Sequence, residues 1–473
     1  SADQDLLNTQ IDEVLHSEPL IQQSNIYFDG TFTHRLTQLV EIADQLGRTD
    51  ARDTFLQAMK DRLERWLSYH PGDTHWYLAY DPKWATLLAQ PEAFFSAEMM
   101  NDHHFDFGYY VQAAAVIAQY DSEWAADWGP MIDLLIKDSA NGDRSDTRFP
   151  FLRTFDPFAG HSWASGHSGF DAGANQESSS EAMNYASGIL RWGQERGDTQ
   201  LRDLGAYLYT TEASAIDQYW FDLDDQVFPD EFGQDTAGMV WSNGAAYSTW
   251  WTASTEEIHG INFVPVGAQS LYLGRDPDYI RRNYQNMVEN NGGAAQFWYE
   301  IIWKYLALSE PDRAAGLRDQ NPDWRPDHQG GDDVGSRAHT NHWISALQQI
   351  GQLNPRVHGD IATSATFGKG NTRTYAAHNP TDQPLTVTFS DGYELQVAPR
   401  SSASTADTAP EDPAEPTPTP TGSDEPSPTE GPSTDPTPST DPTPSTDPTP
   451  SNEPGNPALR IEAEDFSNNP GVL

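Results

Sequence analysis

The 473 residues contain no cysteine. That excludes a disulfide framework, thiol catalysis and paired-cysteine zinc sites. Positive charge is scarce as well: 27 Lys plus Arg stand against 71 Asp plus Glu, a formal net charge of −44, and lysine occurs only five times. Residues 401–473 hold 14 acidic residues and one arginine, so the first 400 still carry a net −31. A body this acidic repels nucleic acid, anionic membranes and polyanionic substrates, and neither a nucleic-acid nor a membrane partner is expected. No apolar run is long enough to span a bilayer. A neutral polymer is compatible with the charge, and the low lysine content fits a salt-tolerant, secreted protein. No Gly-rich or basic phosphate site stands out, which disfavours phosphorolysis. Aromatics, by contrast, are plentiful, with 15 Trp, 19 Tyr and 20 Phe. Aromatic faces are surfaces on which sugars stack. Trp163, Trp241, Trp250 and Trp251 lie among Gly, Ser and Asn, where a glycan platform and core packing are both open readings.

Two polar clusters stand out. The run Ala174-Asn175-Gln176-Glu177-Ser178-Ser179-Ser180-Glu181-Ala182-Met183-Asn184 reads as a helix start with Glu177 and Glu181 four residues apart on one face. Like charges at that spacing weaken a helix by a few tenths of a kcal/mol, roughly. Either a shared task retains both, or Glu177 sits in the first turn after an Asn175 cap and Glu181 is solvated. Upstream, Asn101-Asp102-His103-His104-Phe105-Asp106-Phe107-Gly108-Tyr109-Tyr110 opens an apolar, alanine-rich helix whose close packing would hold its mouth rigidly. Asp102 is a candidate acid there, the alternative being a plain helix cap. Adjacent imidazoles diverge and no His-Glu-x-x-His pattern accompanies them, so neither a metal nor a cofactor is expected.

Read with Tyr80-Asp81-Pro82-Lys83-Trp84, Asp156-Pro157-Phe158-Ala159-Gly160-His161-Ser162-Trp163 and Ile258-His259-Gly260-Ile261-Asn262-Phe263, these clusters form an ordered set over roughly residues 20–400. The set resembles glycoside hydrolase family 81, the inverting endo-β-1,3-glucanases. The resemblance implies Asp102 as general acid, Glu177 as the base that activates water and Glu181 as a further required carboxylate. It also implies a β-1,3-glucan partner, contacted by His103, His104, Tyr109, Asp156, His161, Trp163, Asn175, Trp241 and His259, and a monomeric enzyme. One departure is that family members often carry His-Tyr where this chain has Asp106-Phe107. The residue types suit the chemistry independently, because glycosidic cleavage needs one protonated and one ionised carboxyl. A helix N-terminus favours an ionised Glu177, while Phe105, Tyr109 and Tyr110 would crowd Asp102 toward its protonated form.

Residues 1–360 read as a mainly α domain. Leu36, Leu39, Val40, Ile42 and Ala43 recur at helical spacing, as do Phe55, Met59, Leu63, Trp66 and Leu67, with similar stripes near 110–120, 178–193, 200–219, 295–307 and 342–353. Many such helices around one centre point to an (α/α) barrel, and the resemblance implies the six-fold, (α/α)6, version. Residues 361–400 switch to strand alternation, with 372–376, 385–389 and 393–397 expected as a short β-meander. Residues 401–457, rich in Pro, Thr and Ser, read as a disordered linker. Residues 458–473, with Leu459-Arg460-Ile461-Glu462-Ala463-Glu464, resemble the first strand of a carbohydrate-binding module cut short. The family normally begins with a β-sandwich domain, and a chain starting at Ser1 without Met or signal peptide is expected to be a fragment. A helical glycan-binding protein without activity and a polysaccharide lyase are the alternatives, the latter disfavoured by the scarcity of cations to meet uronates.

Overall fold

In the computed structural model residues 2–17, 19–326 and 335–408 are described. The helical part runs α1 (Ala2–Leu15), α2 (Ile26–Gln45), α3 (Thr49–Trp66), a hairpin of β1 (Tyr77–Asp81) and β2 (Thr86–Gln90), α4 (His103–Tyr120) and α5 (Ser122–Ala140). Two short strands, β3 (Phe155–Asp156) and β4 (His161–Ser162), then form a second hairpin. Next come β5 (Asn175–Gln176), α6 (Ser179–Arg196), α7 (Thr199–Tyr219), β6 (Met239–Trp241), β7 (Gly244–Ala246) and α8 (Thr255–Gly260). After a 3₁₀ stretch at Ala268–Arg275 follow α9 (Pro277–Asn291), α10 (Tyr299–Ala307), α11 (Pro311–Asp319) and α12 (Arg337–Ile350).

The apolar stripes become seams of one core. All five stripe residues of α2 and all five of the α3 stripe are buried in it. Side-chain caps start several helices: Asn25 accepts from Phe28 N–H, Asp121 from Trp124 N–H and Asp276 from Tyr279 N–H. Each such cap is worth about 1 kcal/mol. α4 has the composition of a helix surrounded by protein, and residues 103–118 are buried on every side. It packs between α2 and α6, α10 lies against α8 and α12, and α12 returns to α2. The start of α6 is joined to the end of α8 where Ser178 and Ser180 hydroxyls both donate to Ile261 O. Contacts thus run in succession through α2, α4 and α6 and through α8, α10, α12 and back to α2, while α3, α5 and α7 each pack on the even-numbered helix before them.

The C-terminal strands depart from the expected meander. β10 (Thr372–Asn379) does not pair with the next strand. It lies between β9 (Ser364–Lys369) and β13 (Ser401–Thr408) in a four-stranded sheet that β8 (Gln352–Leu353) completes. β11 (Leu385–Thr388) and β12 (Glu394–Val397) pair only with each other in the ladder pattern. Residues 401–408, assigned to the linker by composition, are therefore strand, because eight ladder positions against β10 outweigh a polar sequence. The remainder of the expected linker and the 458–473 segment lie outside the described residues.

α6 and α7 approach closely enough that a Cβ on Gly205 would stand 2.3 Å from the Leu190 backbone nitrogen. Backbone cannot yield as a flexible side chain would. Gly205→Ala is expected to destabilise the domain by about 1–3 kcal/mol, read as a lower Tm in thermal unfolding, whereas an unchanged Tm would show that the two helices have slack.

Candidate active site

Asp102 occupies the N-cap position of α4 but does not cap it. Its backbone is left-handed (φ 62°), and its side chain makes no capping hydrogen bond. A non-glycine residue in that conformation costs on the order of 1 kcal/mol, which the surroundings must supply. They do so through its backbone: Asp102 N–H donates to Ala164 O at 2.9 Å, and Asp102 O accepts from Phe105 and Asp106 N–H. The carboxyl is left free for other work. Burial, then the nearby charges of Glu177 and Glu181, hold it well above the usual carboxylate range.

The second cluster folds differently from its expected form. α6 begins at Ser179, so Glu177 stands before the helix, and Asn175 lies in β5, paired with Trp241, rather than capping. Glu177 and Glu181 are therefore not stacked on one helical face. Neither does the helix end dominate the chemistry of Glu177. Burial, with a smaller contribution from Glu181, raises it to about 7, although Trp250 N–H donates to its Oε1 at 2.8 Å and opposes the rise. Glu181 is 3% exposed, which removes the solvated-surface reading. It accepts the Tyr109 hydroxyl, and Ser178 and Tyr27 hydroxyls also lower its pKa against the larger effect of burial.

Acid and base segments share one backbone bridge. Ala164 accepts from Asp102 and donates to Asn175 O at 2.8 Å, while the Asn175 side-chain N–H donates to the Ser165 hydroxyl at 2.7 Å. Glu177 follows two residues later. Its loop partner Trp250 also reaches Asn175 Oδ1 through its indole N–H. The rings of Phe170, Trp241 and Trp250 contact one another at 5.3–5.6 Å, and Phe170 and Trp250 are each 39% exposed. This is an aromatic ledge open to solvent beside Glu177. On the Glu181 side, Tyr27, Phe28 and Phe94 form a second ring cluster, with Phe94 half exposed.

The family model for the glycosyl hydrolase family 81 C-terminal domain matches residues 2–337. The chain belongs to glycoside hydrolase family 81. It is 46% identical over 404 residues to a glucan endo-1,3-beta-D-glucosidase of Thermobifida fusca, covering 84% of this chain and 52% of that protein. A protein of the same name from Acetivibrio thermocellus is 44% identical, with 85% and 51% covered. A solved family 81 structure from Clostridium thermocellum superposes with a TM-score of 0.81 at 43% identity, covering 85% of this chain and 56% of that one. The chain thus spans about half the length of these relatives.

Several residues expected to contact substrate in this family 81 chain are engaged inside the protein. His103 points both ring nitrogens at protein atoms, Asp138 Oδ2 at 2.8 Å and Ser96 O at 2.7 Å. His104 turns the other way, toward Ser162 and Gln176, and burial lowers it to about 3, so it is neutral. His161 is buried against Trp163 and Trp220, and His259 is buried with Tyr247 at 2.9 Å. Asp156 accepts Phe158 and Ala159 N–H and the Trp163 indole, closing the β3–β4 turn. A lone sequence cannot separate such supports from contacts, because both lie in the same motifs. Trp251 is partly buried, packed on the buried Trp298. Tyr109, Asn175 and Trp241 remain in contact with the carboxylates or their ledge.

Other participants carried no motif signal. Asp138 on α5 is fully buried and collects Thr86, Leu87 N–H, His103 and Arg153. Burial pushes it up, but Arg153 and His103 more than offset that and hold it below the usual range. Among the described residues no group of three His, Asp or Glu could hold a metal ion, and no helix is long and apolar enough to cross a membrane.

The raised Glu177 has a sign that stability can report. Its folded pKa, about 7, exceeds the ordinary value of 4.5, so the folded state binds the extra proton between those values. The stability this contributes is complete below pH 4.5 and is lost as pH rises through 7. Glu177→Gln should therefore melt higher than wild type at pH 8 and show no such advantage at pH 4. A constant difference across that range would mean that Glu177 carries no shift.

Proposed function

We propose that this domain cleaves internal β-1,3 linkages of a glucan by single-displacement, inverting hydrolysis. The observation that carries the reading is the pairing of Asp102 and Glu177, two carboxyls of different environment held by one backbone bridge beside an exposed aromatic ledge. Asp102 feels two neighbouring negative charges and keeps its proton, the state required to protonate the leaving oxygen. Glu177, raised to about 7, is poised to take a proton from water near neutrality. Glu181 is the poorer base, because the Tyr109 hydroxyl already donates to its Oε1 and the Tyr27 hydroxyl also holds its pKa down. Its charge instead helps to keep Asp102 protonated and meets the positive charge that develops on the sugar ring.

The succession of contacts among the even-numbered helices supports an (α/α)6 barrel, with these carboxyls at one mouth. The names of the relatives support β-1,3-glucan as the polymer, with laminarin, curdlan, callose and fungal wall glucan as candidate sources. An acidic, cysteine-free surface is compatible with a neutral glucan and with a monomer working outside the cell. The carboxyl of Asp102 should then stand roughly 6.5–9.5 Å from that of Glu177, leaving room for the water.

Reducing-sugar release from laminarin tests the reading. Asp102→Asn and Glu177→Gln should each lose roughly 10²- to 10⁴-fold or more in kcat while remaining folded, since neither substitution changes volume. Near-wild-type turnover in either would overturn the assignment. Glu181→Gln removes a charge that raises Asp102, so the alkaline limb of its pH profile should move to lower pH. An unmoved alkaline limb would place Glu181 outside the proton bookkeeping.

A further inference from the structure

Behind the carboxylates lies a buried polar cluster that the hydrolytic reading does not use. Glu212, on the outer helix α7, is 2% exposed. Its Oε1 accepts the backbone N–H of Ser162 at 3.0 Å and the Ser162 hydroxyl at 2.6 Å. That hydroxyl in turn accepts Gln176 Nε2 at 2.6 Å and lies 3.2 Å from His104 Nε2. One side chain is thereby linked to three elements of the site. Ser162 stands two residues before Ala164, which carries the bridge to Asp102. Gln176 stands immediately before Glu177. His104 belongs to the first turn of α4. A small cavity bounded by His104, Ser162, Tyr185 and Glu212 adjoins the cluster, and His104 Nδ1 and Gln176 Oε1 have no protein partner.

We infer that Glu212 is a positioning residue, whose carboxylate locks β4 to β5 through Ser162 and so fixes Asp102 relative to Glu177. It touches no reacting atom. Its role is to hold two strands that are only two residues long and gain little from their own ladders. Charge-assisted hydrogen bonds are about twice as strong as neutral ones, so the lock is firmest when Glu212 is ionised. Burial raises Glu212 to about 7 against the donors Ser162 and Gln176. The titratable groups facing it are His104 on α4, Tyr185 on α6, and Tyr272 in the 3₁₀ stretch. His104 titrates at about 3, and both tyrosines are raised above their ordinary value by burial. None of the three changes charge near neutrality. Glu212 and Glu177 therefore ionise over the same range, and the competent site requires both.

The inference rests on the hydrolytic reading, and its test separates the two. For wild type on laminarin, the acidic limb of log kcat/KM should be steeper than a single ionisation allows. Glu212→Gln should return that limb to a slope of one and lower kcat on the order of 10- to 100-fold, with KM nearly unchanged, because misplacement costs rate rather than binding. Should Glu212→Gln fail to fold, Ser162→Ala breaks the same link from the other side and should reproduce the loss of kcat. Hydrogen exchange of peptides covering 160–178, compared at pH 6 and pH 8, gives a readout without substrate: protection should rise with pH in wild type and stay flat in the variants. Active wild type together with variants that match it in kcat, slope and exchange overturns the inference alone. A wild type that releases no sugar overturns the hydrolytic reading, and the exchange result then decides the positioning role by itself.

Discussion

Two backbone hydrogen bonds, Asp102 N–H to Ala164 O and Ala164 N–H to Asn175 O, join the mouth of α4 to the strand that precedes α6. Much of the site hangs on them. They hold Asp102 in a left-handed conformation in which its carboxyl does not cap the helix it opens, and they place Glu177 two residues beyond the anchored Asn175. Loops crowd this junction so tightly that a Cβ on Gly166 would stand 2.0 Å from Met99 O. Glycine is needed there for close approach, not for an unusual backbone angle. The bridge also explains why the supports are histidines and serines buried in the motifs: a junction of short strands and helix starts has many unpaired backbone groups to satisfy.

Buried carboxyls in this domain divide by whether a cation meets them. Asp138 has the Arg153 guanidinium at 2.5 Å and is held below the usual carboxylate range. Asp102 and Asp106 are raised first by burial and then by one another's neighbours, Asp106 by Asp102, Glu181 and Glu92. Concentrating carboxyls in a partly dry site is costly for folding, and the cost is the source of the proton on Asp102. Asp106 shares that crowding and is itself held well above the usual carboxylate range. A chain with so few lysines and arginines has little means to relieve it.

The helical body was legible because apolar residues recur at helical spacing where helices face the core, as Leu36, Leu39 and Val40 do. α5 and α9 were less so. α5 carries Pro130 in its interior, and the buried Tyr279, Ile280, Tyr284 and Met287 of α9 are diluted by Arg and Asn. The candidate carboxylates were singled out by their motifs, but their setting was not legible. Asn-Gln-Glu-Ser-Ser-Ser offers several equally good caps, and pairing of Asn175 and Gln176 with Trp241 and Val240 decides which residue starts the helix. Residues 401–408 read as spacer because they carry no large apolar residue and strand propensity is weak in Ala and Asp, whereas their pairing with β10 is a tertiary fact. Glu212 had no sequence signal at all: it is one acid on an outer helix, given meaning only by where β4 passes.

The stereochemistry of the first product tests the central claim most directly. Proton NMR recorded during the early minutes of cleavage of a linear β-1,3-glucan oligosaccharide distinguishes the anomers before they equilibrate. An α-configured new reducing end is expected if water, activated by Glu177, attacks opposite the bond that Asp102 protonates. A β-configured first product would mean a covalent intermediate on one of the carboxylates and would contradict the account.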